Sequence, residues 1–173
     1  MKAKLISSVT SRRNSRVASQ TRSKSPAAPQ RLQNILVPTD FSASSLKAVS
    51  FAKELAQQSG ACVSLLYVIE PIVLPDAAAL CALPDEQVAA RMRKRLSELA
   101  QGYEEKDFSF DRIIVRKGTP FHEIALAAAA AKSDLIVIAT HGYTGLKHVL
   151  LGSTTERVVR HARCPVLVVP ARD

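Results

Sequence analysis

The sequence predicts an α/β fold, a five-stranded parallel sheet with helices on both faces. Three observations predict it. Five short apolar runs rich in β-branched residues, at 34–37, 62–69, 109–116, 135–139 and 166–169, are separated by segments of helical periodicity. Most of these runs are apolar throughout rather than alternating, as expected of strands buried on both faces. Helix start and stop signals stand between them, and strands alternating with helices imply right-handed crossovers around a parallel sheet.

The first run, Asn34 to Val37, ends at Pro38, which lacks the N–H needed to continue a ladder. Thr39-Asp40-Phe41-Ser42 turns out of it, and Ser42 is placed to N-cap a helix over 43–58. Leu46, Val49, Ala52, Lys53, Leu55 and Ala56 recur there close to the 3.6 period, and Gly60 is placed to end the helix. The run 62–69 is apolar apart from Ser64. Residues 72–83 are irregular, apolar and Ala-rich, bounded by Pro75 and Pro84, and read as a crossover loop rather than a lid. A second helix is expected over 85–101, with Arg91, Arg93, Lys94 and Arg95 on a solvated face. The partly alternating run 109–116 suits a strand at or near a sheet edge. Thr119 as N-cap and Pro120 at the first helical position open a third helix that runs to about Lys132. His122-Glu123 begins H-E-x-x-H, but position 126 is Leu, so that zinc motif fails. A fourth helix is expected over 153–162 before the last strand.

A chain of 173 residues suffices for one domain, which at this size buries roughly 70% of the unfolded surface. The formal charge is +9, and it is unevenly spread. Eight of the 24 basic residues lie in 1–31, which contains no acidic residue, leaving 16 basic against 15 acidic residues in 32–173. The balanced remainder gives no support to a nucleic-acid-binding face. Residues 1–31, rich in Ser and Arg with few large apolar side chains, read as a disordered tail. Three explanations stay open for it: a dispensable extension, an organelle transit peptide, or an electrostatic arm for nucleic acid or anionic lipid. Cys62, Cys81 and Cys164 form no C-x2-C pair, which favours a reducing cytoplasm, and no apolar run approaches the length of a membrane span. Cys164, ahead of the last strand, reads as a buried strand-end residue rather than a reactive thiol, because no Cys/His/Asn set accompanies it.

The richest stretch is 136–170, IVIATHGYTGLKHVLLGSTTERVVRHARCPVLVVP. It joins a strand, a loop bearing Gly142 and Gly145, a helix opened by Gly152-Ser153-Thr154-Thr155, and a final strand. A helix start of small and hydroxyl residues offers unpaired N–H groups and a positive dipole end to an anion. The small hydroxyl residues stand where N-caps are preferred. His141, Lys147 and His148 also lie in the loop, where Lys147 reads either as a phosphate partner or as an exposed lysine. G-x-x-x-x-G-K-[ST] is absent, and no G-x-G-x-x-G follows a predicted strand, which excludes the usual P-loop and dinucleotide fingerprints.

Ala139-Thr140-His141-Gly142, nine residues, then Gly152-Ser153 falls on G-x2-G-x9-G-[ST], with Ala139 at the first glycine. Together with VPTDFS at 37–42 and the segments VIATHG, TGLKHVLLGS, ERVVRHA and CPVLVVP, this resembles the ATP-binding universal stress proteins over residues 32–170. The resemblance implies a Rossmann-like sheet of strand order 3-2-1-4-5, with strands one and four side by side at the point where strand order reverses. It further implies that Pro38, Thr39, Asp40 and Val68 line the adenine side of an ATP site. Ile138, Ala139 and Gly142 would border the nucleotide at the end of the fourth strand, and Gly152, Ser153, Thr154 and Thr155 would receive the phosphates of ATP bound with Mg²⁺. Asp40 would bond an exocyclic amine or a metal, or else serve only its own turn; Ser153 would hold phosphate or only cap its helix. A positive φ at Ala139 would cost on the order of 1 kcal/mol, about fivefold in affinity, and a negative φ would cost nothing. The family also implies a homodimer through residues 164–170, where an unpaired apolar edge would find a second copy. The expectation is therefore a cytoplasmic, dimeric ATP-binding sensor or regulatory module and not an enzyme, with a nucleotide-free interaction module and a slow ATP hydrolase as alternatives.

Overall fold

A computed structural model of the chain describes residues 32–71, 85–140 and 152–170. The elements are β1 (Asn34–Pro38), α1 (Ala43–Ser59), β2 (Cys62–Ile69), α2 (Asp85–Tyr103), β3 (Arg112–Lys117), α3 (Pro120–Ala130), β4 (Leu135–Ala139), α4 (Ser153–His161) and β5 (Val166–Val169). The sheet order is β3-β2-β1-β4-β5, every pair parallel, as expected. The segments 1–31 and 72–83 read from the sequence lie outside the described residues.

Strand alternation divides the core in two. Val37, Val63, Leu65 and Val137 point to one face with Ala48, Val49 and Ala52 of α1 and Leu96 of α2. Leu36, Leu66, Ile136 and Ile138 point to the other with Ile124 and Ala127 of α3 and Val158 of α4. Among the described residues no helix is long and apolar enough to cross a membrane.

Local chemistry sets most boundaries. Ser42 N-caps α1, its Oγ accepting from Ser45 N–H at 3.2 Å, and Gly60 ends it in the left-handed region at φ 74°. Thr119 stands at the N-cap of α3 with Pro120 behind it, although the Thr119 side chain makes no capping bond. That helix stops at Ala130, short of the expected Lys132, because Lys132 turns left-handed at φ 51°. Ser133 N–H then reaches Ala128 O at 2.9 Å and Lys132 N–H reaches Ala129 O at 3.2 Å, the paired bonds of a Schellman ending. Gly118, at φ 150°, is required where it stands: a Cβ there would lie 2.9 Å from Glu123 Cγ.

The third strand starts three residues later than the alternation over 109–116 predicts. Just before it, Phe108 is drawn into the core at the base of a turn closed by Glu105 N–H to Phe108 O (3.0 Å) and Phe108 N–H to Glu105 O (3.1 Å). Phe108 and Phe110 pack edge to face with centroids 5.0 Å apart, and with them the start of the predicted run, Phe110 included, becomes a plug against the α1 cluster. Lys53, read as part of the apolar face of α1, lies over the Phe108 ring and pairs with Glu105, burying its stem and keeping its charge at the surface.

Candidate functional site

The pairing of β1 with β4 lapses at one missing donor. Hydrogen-bonded pairing of these strands covers Ile35 with Leu135 and Leu36 with Ile136, yet β1 continues to Pro38 and β4 to Ala139. Thr39 N–H donates to Leu66 O on the β2 side at 2.9 Å, so by strand alternation the amide of residue 38 faces β4. Proline has no hydrogen to give there. The ladder lapses two residues before β1 ends and three before β4 does, at the switch point where β1 is flanked by β2 on one side and β4 on the other.

The start of α4 is fastened over the end of β4. Gly152 N–H donates to Thr140 O at 2.8 Å, and the buried Thr155 hydroxyl donates to Ala139 O at 2.8 Å. Gly152 is the N-cap and makes no side-chain capping bond; Ser153 occupies the first helical position and is exposed, so its hydroxyl does not cap the helix. Helix geometry leaves the N–H groups of Ser153, Thr154 and Thr155 without intrahelical acceptors.

The predicted residues gather at one end of the sheet but not on one face. Pro38, by alternation from Leu36, shares a face with Val68 and Ile138, which pack in the cluster beneath α3 and α4. Thr39 and Ala139 have their side chains on the opposite face: Thr39 Oγ1 lies 2.9 Å from Ser45 Oγ of α1, and Ala139 belongs to the α1 cluster. Phe41 and Lys132 are the described non-glycine residues with positive φ, so Ala139 is not in the left-handed region and its methyl group carries no backbone cost. Gly142, Gly145, His141, Lys147 and His148 lie outside the described residues.

Asp40 is engaged in its own turn. Its Oδ1 accepts from Ser42 N–H at 3.0 Å and from Ser42 Oγ–H at 2.6 Å, while Phe41 N–H donates to Thr39 Oγ1 at 3.1 Å. Three residues next to it gave no sequence signal. Phe41 is left-handed at φ 64°, its ring centroid is 5.1 Å from that of Tyr67, and the Arg95 guanidinium lies 4.2 Å from the Phe41 centroid. Only the invitation of TDFS to turn was visible, and it does not say which residue goes left-handed.

Cys164 is half-buried against the cluster under α4. Burial, and secondly the negative charge of Asp134, pushes its thiol pKa up. Less thiolate forms at neutral pH, so alkylation followed by peptide mass analysis should find exposed Cys62 modified well before Cys164. The Cys164 rate should keep climbing with pH beyond the range where an ordinary thiol levels off; equal rates at neutral pH would refute the buried reading.

The universal stress protein family model matches residues 31–170. The chain belongs to the universal stress protein family. A universal stress protein of Methanocaldococcus jannaschii is 37% identical over 139 residues, covering 79% of this chain and 81% of that protein. The solved universal stress protein UspA of Lactobacillus plantarum superposes with a TM-score of 0.63 at 30% identity, covering 80% of this chain and 98% of its own. A universal stress protein crystallised in complex with cAMP superposes with a TM-score of 0.56 at 25% identity, covering 82% of this chain and 99% of its own.

Proposed function

We propose that this universal stress protein binds ATP, with Mg²⁺, between the ends of β1 and β4, and works in the cytoplasm as a dimeric sensor or regulatory module rather than as an enzyme. The observation that carries this reading is the lapse of the β1–β4 ladder at Pro38 directly beside a helix start held down on β4. Phosphates would meet the N–H groups of Ser153, Thr154 and Thr155 and the exposed Ser153 hydroxyl; the Thr155 hydroxyl proton is already given to Ala139 O. Pro38, Val68 and Ile138, on one face, would bound the base. The negative φ of Ala139 removes the one objection that the motif itself raised, and a relative crystallised with cAMP adds a nucleotide precedent in the family.

Calorimetric titration of ATP with Mg²⁺ into the full chain, freed of co-purified nucleotide, is expected to give a Kd on the order of micromolar. Gly142→Val should weaken it at least ~10-fold, about 1.4 kcal/mol. A folded wild type that takes no nucleotide would transfer the reading to a protein-interaction module. Phosphate release above background that vanishes in Asp40→Ala would instead establish slow hydrolysis.

The dimer is supported by the contrast between the two sheet edges. β3 carries Arg112, Arg116 and Lys117, charges that discourage edge pairing, whereas β5 reads Val-Leu-Val-Val. Exposed Phe51 and Val159 flank the uncharged edge. Leu46, Ser50, Lys53 and Gln57 turn one flank of α1 to Tyr103 and Glu105, which leaves Phe51 on the flank towards β5. On α4, Arg157 and His161 meet Phe121 of α3, and Val159 lies on the other flank. Antiparallel pairing of 164–170 with a second copy would cover all three layers through one two-fold axis. Sedimentation should show a concentration-dependent dimer, about tenfold weaker in Phe51→Asp; a monomer at every concentration would exclude it.

A further inference from the structure

We propose that Arg95, acting through the Phe41 ring, is a positioning residue that aims the Asp40 carboxylate. A bulky L-residue in the left-handed region is a true outlier, and it persists only where its surroundings hold it there. Phe41 meets that description at φ 64°. Its conformation has a specific product: it lets Ser42 N–H and Oγ–H both turn back onto Asp40 Oδ1, at 3.0 and 2.6 Å, while Ser42 Oγ still accepts from Ser45 N–H at 3.2 Å. The orientation of Asp40 and the first turn of α1 are thus one hydrogen-bonded unit, and that unit exists only while residue 41 stays left-handed.

The Phe41 ring packs against the core cluster beneath α1, and two further side chains meet it. The Tyr67 ring of β2 lies 5.1 Å away, and the Arg95 guanidinium, from α2, lies 4.2 Å from the centroid. The second is within cation–π range, and the planar guanidinium can lie flat on a ring as an ammonium cannot. Arg95 is exposed at the end of a run of basic residues, which conceals it in the sequence. Because it stands on α2 and Asp40 follows β1, a displacement of α2 would be felt at the carboxylate.

The consequence for nucleotide affinity rests on the ATP reading, but the positioning itself does not. Amide hydrogen exchange by NMR in the full chain, without nucleotide, measures the turn directly, since Phe41 N–H is held by Thr39 Oγ1 and Ser42 N–H by Asp40 Oδ1. Arg95→Ala should speed exchange at Phe41 and Ser42 by about two- to fivefold, the factor for an exposed cation–π contact, and leave core amides such as Leu36 unchanged. Arg95→Lys should restore part of the protection and Arg95→Met, which keeps the stem, little. Unchanged exchange at both amides in Arg95→Ala, or acceleration at every amide alike, would overturn the proposal. In the same variants Mg²⁺-ATP affinity should fall by a similar factor; a wild type that binds no ATP would sink the nucleotide reading and leave the exchange result to decide the positioning.

Discussion

Leu36→Ala is expected to cost about 2–5 kcal/mol of stability. Leu36 has no exposed surface and sits in the middle strand of five, paired in register with Ser64 on one side and Ile136 on the other. Its side chain packs in the cluster that Leu66, Ile136, Ile124 and Val158 build beneath α3 and α4. A central strand cannot move towards a cavity without breaking ladders on both sides, so collapse around the missing atoms is restricted and the cavity term stays large. Thermal unfolding should fall by roughly 2–4 °C per kcal/mol for a domain of this size. The control is Leu126→Ala on α3, where the side chain is 44% exposed and the change should stay within about 0.5 kcal/mol. If the two variants melted together, the two-layered core would not be what holds the sheet. Because Leu36 stands two residues before Pro38, partial loosening there should also blur the cleft, and nucleotide affinity is expected to fall with stability.

What could be read from the sequence was whatever is decided locally or by period. The element order, the Ser42 cap, the Gly60 ending and Pro120 at the head of α3 each follow from a residue and its near neighbours. The strand order came from resemblance, not from any residue. Alternation misled at 109–111, because Phe110 satisfies a strand pattern and a hydrophobic plug equally well, and only its packing with Phe108 against the α1 cluster decides between them. The fourth helix starts at Ser153 as expected, and the N-cap place falls to Gly152, whose backbone is extended, while Ser153 faces solvent. For the site, the same period that found the strands also carries information that residue identity hid: Pro38 and Thr39 are consecutive and so must point to opposite faces, as must Ile138 and Ala139. Tertiary partners were out of reach. Nothing near Phe41 in the chain announces Tyr67 or Arg95, and nothing near Thr155 announces the carbonyl of Ala139.

That last bond leads to the second large effect, Thr155→Val, for which a loss of about 1–3 kcal/mol is expected. In β4 the amides of Ile136 and Thr140 donate to Pro165 and Val169 of the β5 side, so by alternation the carbonyl of Ala139 faces β1. There the ladder has already lapsed, and the Thr155 hydroxyl supplies the donor that β1 does not, at 2.8 Å and with Thr155 only 4% exposed. Valine fills nearly the same volume, so packing is kept and the acceptor is left buried without this donor, which is the costly half of breaking a hydrogen bond. Thr155→Ser separates the two contributions: it retains the donor and gives up one methyl group, about 0.8 kcal/mol. Serine close to wild type and valine well below it would assign the effect to the hydroxyl. Valine as stable as wild type would mean that Gly152 N–H to Thr140 O fastens α4 by itself. The same pair of variants bears on the cleft, because the bond fixes where the N–H groups of Ser153 and Thr154 stand relative to the end of β4. Thr155→Val should therefore weaken Mg²⁺-ATP while Thr155→Ser binds nearly as the wild type does; a direct phosphate contact by the hydroxyl would give the same ordering, but without the loss of stability in nucleotide-free Thr155→Val that the bond to Ala139 O requires.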